Sequence, residues 1–305
     1  MKILLLGKNG QVGHALERAL APLAGPGALV ALDRKNGGDL AQLDSLAATV
    51  RQLRPQVIVN AAAYTAVDTA ESEPDQARLI NALAPEMLAK EARALGAWLV
   101  HYSTDYVFDG NGTRPWLETD ATAPLNVYGQ TKLEGERLIQ AHCTQHLIFR
   151  TSWVYAAHGS NFAKTMLKLA QERERLTVID DQWGAPTGAE LLANVTAAAI
   201  SHISLAGNDA LAGLYHLAAG GETTWNQYAS HVIGRAKTLQ PDLPWAVQDI
   251  APVPSSAFVT AARRPHNSRL DTRKLQAAFN INLPHWQQGV DEMLAQALAQ
   301  SRHLS

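Results

Sequence analysis

The chain has 305 residues, of which 47% are hydrophobic, so it is long enough to bury a large core as one domain or two. Its 26 Lys and Arg residues against 28 Asp and Glu residues give a formal net charge of −2. This balance excludes a strongly basic surface for nucleic acid or an anionic membrane, and it favours a small-molecule partner.

Cysteine content and hydropathy point to a cytoplasmic protein. Cys143 is the only cysteine, so no disulfide forms within the chain and a reducing compartment is expected. The first apolar run, Ile3–Leu6, is interrupted too early for a secretory signal peptide. No run of about 18 uncharged apolar residues occurs, so no membrane-spanning segment is predicted.

Short apolar runs alternate with amphipathic helical stretches in the first half of the chain. The runs predict strands at Lys2–Leu6, Ala28–Leu32, Gln56–Asn60, Trp98–Tyr102 and His146–Arg150. Because they are apolar almost throughout rather than alternating, helices are expected to cover both faces of the sheet. The pattern predicts an α/β fold with a Rossmann-like, doubly wound parallel sheet.

The rhythm of strands and helices loosens beyond about residue 155. A smaller α/β C-terminal substrate domain is expected there, with Trp225, Trp245 and Trp286 in core or interdomain packing. The helical run Glu190–Ser201 is regular enough to belong to the sheet domain. The predicted ranges are 1–155 plus about 187–217 for the dinucleotide-binding domain, and about 156–186 plus 218–305 for the substrate domain.

A glycine-rich turn follows the first predicted strand directly. Gly7, Gly10 and Gly13 have the spacing G-x-x-G-x-x-G and open a helix, with Gln11 and Val12 between the last two. Glycine lets backbone N–H groups approach a pyrophosphate at a helix N-terminus, where the helix dipole favours anions. The turn therefore predicts a dinucleotide site, although an ordinary strand-to-helix turn is the simpler alternative.

Acidic and basic side chains meet at the end of the second predicted strand. Asp33 stands 20 residues after Gly13, where an acid bonds the adenosine ribose 2′-hydroxyl and disfavours a 2′-phosphate. The neighbouring Arg34 is suited to that phosphate, so NADPH and NADH both stay open. Further candidate cofactor contacts along the same sheet edge are Asp39, Leu40, Ala62, Ala63 and Tyr64.

Tyr128 and Lys132 are four residues apart, so a helix places them on one face. A nearby cation favours the phenolate, which makes Tyr128 a candidate proton donor for carbonyl reduction near neutral pH. Thr104 follows the fourth predicted strand and is placed to donate to a substrate carbonyl beside Tyr128. Taken alone, the Tyr–Lys spacing is a weak motif and Thr104 could be a turn residue, but the order of Thr104 before the Tyr–Lys pair favours the chemical interpretation.

Together these residues resemble the extended short-chain dehydrogenase/reductases, and within them the dTDP-4-dehydrorhamnose reductase family. The resemblance covers nearly the whole chain. Besides the glycine turn, it rests on the segments Asn60–Asp68, Ser103–Phe108, Pro124–Gly129, Arg150–Tyr155 and Arg264–Leu270. It implies reduction of the 4-keto group of dTDP-4-dehydro-β-L-rhamnose to dTDP-L-rhamnose by NADPH or NADH, the last step of dTDP-rhamnose biosynthesis.

The resemblance also implies roles for single residues. Tyr128 would protonate the nascent alkoxide, Lys132 would bind the nicotinamide ribose and lower the pKa of the tyrosine, and Thr104 would bond the carbonyl. The implied substrate contacts are Asp105, Trp153 and Arg263, the last as a cation for the diphosphate.

Metal binding is the point at which this chain departs from the family pattern. Some members dimerise around a magnesium ion held by a glutamate early in the first helix and by another that matches Glu190. Ala15 occupies the first position here, and a site poor in carboxylates binds Mg²⁺ weakly. No metal site is therefore predicted, and the chain is expected to be a monomer or a homodimer.

The residues argue against one alternative function and leave others open. A nucleotide-sugar 4,6-dehydratase calls for a Thr-Asp-Glu triplet, whereas Tyr106 follows Asp105 here. An epimerase or another nucleotide-sugar reductase needs the same tyrosine. A non-catalytic dinucleotide-binding regulatory subunit would not require the proton-transfer residues at all.

Overall fold

The computed structural model describes residues 1–206 and 209–301. The strands are, in chain order, β1 Ile3–Leu6, β2 Leu29–Leu32, β3 Val57–Asn60, β4 Trp98–Thr104, β5 His146–Thr151, β6 Val154–Tyr155, β7 Arg175–Ile179, β8 Trp183–Gly184, β9 Thr187–Gly188, β10 Gly213–His216, β11 Thr223–Thr224 and β12 Asp249–Val253. The α-helices are α1 Gln11–Ala24, α2 Leu43–Leu53, α3 Val67–Ala70, α4 Pro74–Arg78, α5 Ala84–Leu95, α6 Val127–His142, α7 Phe162–Glu172, α8 Ala189–Ala206, α9 Trp225–Leu239, α10 Arg273–Phe279 and α11 Trp286–Ser301.

Six strands form one parallel sheet in the order β10-β5-β4-β3-β1-β2. This confirms the predicted doubly wound sheet, and all five predicted strands are present with ends that differ by one or two residues. β4 extends to Thr104 and β5 to Thr151, because the two strands stay paired up to these residues. Thr104 is therefore the last residue of a strand rather than part of the turn beyond it.

The strand order reverses at β1, which lies between β2 and β3. In register, Leu6 is level with Leu32 on one side and with Asn60 on the other. The loops after these three strands therefore leave the sheet at the same edge. In open α/β sheets this switch point forms the crevice in which ligands bind.

Helices cover both faces of the sheet, as the apolar strands predicted. On one face, Ile3 and Leu5 pack in a buried cluster with residues of α1 and α8 such as Leu16 and Leu192. On the other face, Leu4 and Leu6 pack with Leu46 of α2, Leu88 of α5 and Ile139 of α6. Each strand buries both of its faces in this arrangement, which requires continuous rather than alternating hydrophobicity.

A second core lies among α7, α9 and α11, apart from the sheet. Its buried residues include Met166, Tyr228, Val232, Trp286 and Leu294. Trp286 is buried in this core and Trp245 packs against it, as expected of these two tryptophans. Among the helices of the described residues, none has the length and apolar character needed to cross a membrane.

Candidate active site

A cleft of about 1300 Å³ opens at the carboxyl edge of the sheet, and α7 and α9 of the second core contribute to its wall. This volume exceeds the roughly 300–1000 Å³ typical of a single small-ligand pocket, so the cleft has room for a dinucleotide and a second ligand. The predicted site residues on its lining are Gly7, Gly10, Gln11, Val12, Asp33, Asp39, Leu40, Ala62, Ala63, Thr104, Asp105, Tyr128, Lys132 and Trp153.

The glycine turn forms one end of this cleft. Gly7 has a φ of +85°, and a Cβ at this position would lie 2.8 Å from the backbone nitrogen of Ala62. α1 begins at Gln11, and its N-cap residue Gly10 has no side chain to bond the amides of the first turn. These N–H groups are therefore free to bind an anion such as a diphosphate.

Gly13 lies off the cleft lining, although it was predicted to bind cofactor. A Cβ there would lie 2.0 Å from the carbonyl oxygen of Gly7, so Gly13 is needed to close the turn against α1. Tyr64 is also off the lining, because its hydroxyl donates to Glu73 Oε2 at 2.7 Å.

Asp33 sits at the end of the cleft beside β2 and is held by several donors. It accepts from the backbone N–H of Lys35 at 2.9 Å and from Asn9 Nδ2 at 2.8 Å, and Lys8 Nζ lies 3.9 Å away. The Lys35 amide is the main cause that lowers the pKa of Asp33, so the carboxylate stays ionised. Arg34 and Lys35 are exposed and also line the cleft, so positive charge surrounds this acid.

Helix α6 carries the predicted proton-transfer pair. Asn126 caps the helix by accepting from the backbone N–H of Gly129 at 2.8 Å, which starts the helix one residue before Tyr128. Tyr128 and Lys132 then occupy successive turns, and both line the cleft together with Thr104 at the end of β4. The structure thus brings the three predicted catalytic residues to one wall.

The charge states of this group differ from expectation in one respect. Burial raises the pKa of Tyr128 to about 12, with the charge of Asp105 adding to the rise and a hydrogen bond with Thr104 opposing it. Lys132 was expected to lower the pKa of Tyr128, and it does not do so here. Lys132 Nζ instead donates to the Tyr102 carbonyl oxygen at 2.6 Å, and burial lowers the pKa of this lysine to about 8.

Asp105 is a buried acid adjoining the same group, with 2% of its surface exposed. Thr104 Oγ1 donates to its Oδ1 at 3.0 Å. Burial raises the pKa of Asp105 to about 7, while hydrogen bonds from Ser268 and Thr104 limit the rise. The carboxyl group therefore exchanges a proton near neutral pH and takes up part of the hydrogen-bonding capacity of Thr104.

Aromatic side chains form another part of the cleft wall. Trp153 has a φ of +48°, which is strained for a residue other than glycine, and its indole packs against Gly184. Its ring stacks on Trp225 with centroids 3.7 Å apart. Strain of this kind persists where the surroundings hold a side chain in a required position. Trp225, predicted only as a packing residue, is therefore also part of the site.

Of the adjacent Arg263 and Arg264, the one on the cleft lining is Arg264, whereas Arg263 was the predicted contact. Arg264 Nη2 and Nη1 bond the carboxylate of Asp68 at 2.6 and 3.1 Å, which holds the guanidinium at the cleft. Arg263 is exposed and contributes its carbonyl oxygen to Asn126 Nδ2 at 2.7 Å. The role of Arg263 as the cation for the diphosphate stays a prediction, because sequence alone does not show which of two adjacent side chains faces the cleft.

Several residues on the lining were missed in the sequence. Thr65 and Ser152 lie within segments that carry the family resemblance, so those segments gave a usable signal. Phe162 opens α7 and Trp225 opens α9, and no spacing in the sequence connects these helices to Tyr128. The missed lining residues are Asn9, Lys35, Gly38, Ala61, Thr65, Val67, Ile80, Tyr102, Ser103, Tyr106, Thr151, Ser152, Val154, Phe162, Trp225 and Arg264.

The position considered for magnesium has a different arrangement here. Ala15 is buried in the first core, and Glu190 forms an ion pair with Arg18. Across residues 1–206 and 209–301, no group of three His, Cys, Asp or Glu side chains is placed to hold a metal ion. Cys143 is buried, and its thiol donates to the Gln145 carbonyl oxygen.

Comparison with known proteins gives one consistent result. The family model described as RmlD substrate binding domain matches residues 1–299. A protein of Shigella flexneri named dTDP-4-dehydrorhamnose reductase is 60% identical over 297 residues, covering 96% of this chain and 97% of that protein. A protein of the same name from Escherichia coli strain K12 is 59% identical over 297 residues, with the same coverage.

Solved structures agree with these sequence relatives. A dTDP-4-dehydrorhamnose reductase from Clostridium acetobutylicum superposes with a TM-score of 0.88 at 32% identity, covering 98% of this chain and 100% of that one. The Bacillus anthracis enzyme of the same name, solved in complex with NADP, gives a TM-score of 0.85 at 32% identity, covering 97% and 100%.

Proposed function

The chain belongs to the RmlD substrate binding domain family, and on that premise we propose that it reduces the 4-keto group of dTDP-4-dehydro-β-L-rhamnose to give dTDP-L-rhamnose. It is an NAD(P)H-dependent oxidoreductase that acts in the last step of dTDP-rhamnose biosynthesis, which serves polysaccharide synthesis. The observation that carries the proposal is the placement of Thr104, Tyr128 and Lys132 on one wall of a cleft that also contains the glycine turn.

NADPH or NADH fits the residues at the sheet edge and supplies the hydride when bound. The uncapped first turn of α1, at Gln11 and Val12, offers N–H groups to the diphosphate. Asp33 and Arg34 would hold the adenosine ribose, and the small side chains of Ala62 and Ala63 would leave room for the cofactor. Positive charge around Asp33 makes the site compatible with a 2′-phosphate as well as with a free hydroxyl.

Proton delivery is assigned to Tyr128. As the C4 carbonyl accepts hydride, its oxygen becomes an alkoxide and takes the phenolic proton, and the tyrosinate later regains a proton from solvent. Thr104 bonds the same oxygen and stabilises the charge that develops on it. Lys132, as an ammonium, stabilises the tyrosinate and bonds the nicotinamide ribose.

Substrate binding is assigned to the wall that the second core contributes. Trp153 and Trp225 provide a flat apolar surface for the sugar, and Arg264 provides a cation for the diphosphate. Asp105 bonds a sugar hydroxyl. The division into a cofactor domain, 1–155 plus about 187–217, and a substrate domain, about 156–186 plus 218–305, is supported by the separate cores, except that Leu275 and Phe279 of α10 pack in the core of the sheet domain. Residues 207–208 and 302–305 of these ranges lie outside the described residues.

We further propose that the protein is cytoplasmic and that any homodimer forms without a magnesium bridge. The support is the ion pair between Glu190 and Arg18 together with Ala15 at the other ligand position. Size-exclusion chromatography with EDTA and with excess Mg²⁺ tests the second point. A dimer that dissociates only in EDTA would contradict it.

The reaction is tested by adding dTDP-4-dehydro-L-rhamnose to purified protein with NADPH and then with NADH, following nicotinamide absorbance and identifying the product. Substrate-dependent oxidation that yields dTDP-L-rhamnose is expected. Tightly retained NAD⁺ with a C-epimerised product would identify an epimerase instead. Cofactor binding without oxidation would identify a different keto sugar or a regulatory role.

A further inference from the structure

Two more buried polar side chains join Lys132 in the interior of the sheet domain. Lys132 Nζ lies 3.1 Å from Nε2 of His101 in β4, and His101 Nδ1 lies 3.2 Å from Nδ2 of Asn60 at the end of β3. Each of the three side chains is only 1% exposed. We call Lys132, His101 and Asn60 the buried relay.

A backbone N–H fixes the direction of the hydrogen bonds in the buried relay. The N–H of Ala62 donates to Asn60 Oδ1 at 3.2 Å, which turns the amide nitrogen of Asn60 toward His101. An amide nitrogen only donates, so His101 Nδ1 accepts. A neutral imidazole that accepts at Nδ1 carries its hydrogen on Nε2.

The hydrogen on Nε2 then points at Lys132 Nζ. Only a neutral amine has a lone pair to accept it, and such an amine still donates to the Tyr102 carbonyl oxygen at 2.6 Å. If Lys132 were an ammonium, its N–H would face the N–H of His101 Nε2. Relief would require His101 to carry its hydrogen on Nδ1 and Asn60 to turn its amide oxygen toward the ring. Burial acts in the same direction, because it lowers the pKa of Lys132 to about 8 and holds that of His101 well below its ordinary value.

Charged groups on the neighbouring elements do not set the charge of Lys132 in place of these hydrogen bonds. Glu136, one turn along α6, favours the charged form of Lys132, but its carboxylate is bonded by Arg150 of β5 at 2.9 and 2.6 Å. The buried acid of α5, Glu91, is bonded by Arg51, and β3 has no ionisable residue. The other ionisable groups near Lys132 on the cleft lining are Tyr102, Asp105, Tyr106 and Tyr128.

Resting on the proposed reductase role of Lys132, we propose that His101 is a positioning residue whose tautomer controls the charge of this lysine, and that Asn60 fixes the tautomer. When the buried relay takes up one proton, His101 Nε2 passes its hydrogen to Lys132 Nζ and Nδ1 receives the incoming proton. Asn60 must then turn, which releases the N–H of Ala62 on the cleft lining. The charge of the lysine is thereby linked to a backbone donor at the cofactor wall.

The tautomer is measured directly on the unaltered protein. Two-bond ¹H–¹⁵N spectra of ¹⁵N-histidine-labelled protein distinguish Nδ1–H, Nε2–H and imidazolium rings, and the His101 signal among the 11 histidines is assigned by its loss in His101→Gln. Well above the titration midpoint of Lys132 the Nε2–H form is expected, and below it the Nδ1–H form. A ring that is Nδ1–H above the midpoint, or imidazolium below it, would overturn the proposal.

Kinetics provide a second test that a purely structural role would not satisfy. In His101→Gln the amide oxygen accepts from the ammonium, so the alkaline fall in kcat/KM should move up by about one pH unit. Asn60→Asp should move it in the same direction, because a carboxylate accepts both from Ala62 N–H and from an Nδ1–H ring.

His216→Gln is the matched control. His216 is also buried, but its Nδ1 contacts the Trp116 carbonyl oxygen rather than Lys132, so its pH profile should equal that of the unaltered protein. Unchanged profiles in both relay variants would overturn the proposal. Absence of reductase activity in the unaltered protein would refute the proposed function alone, because the tautomer spectra still decide the relay.

Discussion

Two buried charged side chains one turn apart on α6 are accommodated in opposite ways. The carboxylate of Glu136 receives two hydrogen bonds from the guanidinium of Arg150, and the two side chains are 2% and 4% exposed. Lys132 is equally buried, yet within residues 1–206 and 209–301 it has no ion pair and contacts a carbonyl oxygen and an imidazole.

This difference distinguishes a buried ion pair that stabilises the fold from a buried ionisable side chain that serves the chemistry. A matched pair in a low-dielectric interior keeps both groups ionised, and its geometry ties α6 to β5. An unmatched lysine has the pKa near neutrality that proton-transfer chemistry requires, at a cost in stability. The catalytic wall collects such unmatched groups, since burial also shifts the pKa of Tyr128 and Asp105 upward.

The largest expected effect is on turnover, which depends on the buried groups without an ion-pair partner. Tyr128→Phe deletes the donated proton and keeps the ring, so kcat should fall by about a hundredfold to ten-thousandfold while the affinity for NADPH is retained. Single-turnover rates and cofactor titration by fluorescence measure the two quantities. Near-normal turnover would remove Tyr128 from the acid role.

At the ion pair of Glu136 and Arg150, the expected effect is on the stability of the fold. Arg150→Met leaves Glu136 buried without its partner and should lower the free energy of unfolding by about 3–5 kcal/mol. Arg51→Met is the control, because Arg51 is 67% exposed in its pair with Glu91 and solvent screening should make its loss much smaller. Urea denaturation compares them, and equal losses would show that the buried pair has no special role.

Lys132→Met should raise the free energy of unfolding, whereas Arg150→Met should lower it. The folded pKa of about 8 lies below the ordinary 10.5, so the unfolded chain binds more protons between these values and stability rises with pH across that window. Below about pH 8 the variant should therefore be more stable than the unaltered protein by up to about 3 kcal/mol, although it is inactive. The gain should vanish near pH 10.5, and a gain independent of pH would contradict the assignment.

The smallest effect is expected at Asp33, whose charge is matched near the surface. Asp33→Ala should raise the use of NADPH relative to NADH, and Arg34→Ala should lower it, each by about a few-fold at most, since solvent screens exposed charge interactions. Initial rates with both cofactors give the ratio for each variant. An unchanged ratio in Asp33→Ala would refute its placement at the adenosine ribose.

Local pattern in the sequence was sufficient to predict the strand, turn and helix of the cofactor side, although not every residue on the lining there. The first strand, the turn from Gly7 to Gly13 and the start of α1 are contiguous, so their spacing encodes both the turn and its N–H groups. The strands were found because a sheet covered on both faces requires unbroken apolar runs. Their ends were less well predicted, since pairing with neighbours extended β4 and β5 beyond the apolar residues.

The substrate side was only partly predictable, because its residues come from distant segments. Trp225 reaches Trp153 across 72 positions, and the choice of Arg264 over Arg263 depends on the contact with Asp68. No periodicity or spacing connects such residues. A family resemblance identified the segments, while the orientation of each side chain had to come from the folded chain.

The sequence by itself determined the element types, the dinucleotide turn and the candidate residues for proton transfer, because these depend on periodicity and on spacing within single elements. The tertiary structure decided their charge states. Desolvation and hydrogen-bond direction depend on atoms that β3, β4 and α6 bring together from Asn60, His101 and Lys132, and no local pattern contains that information.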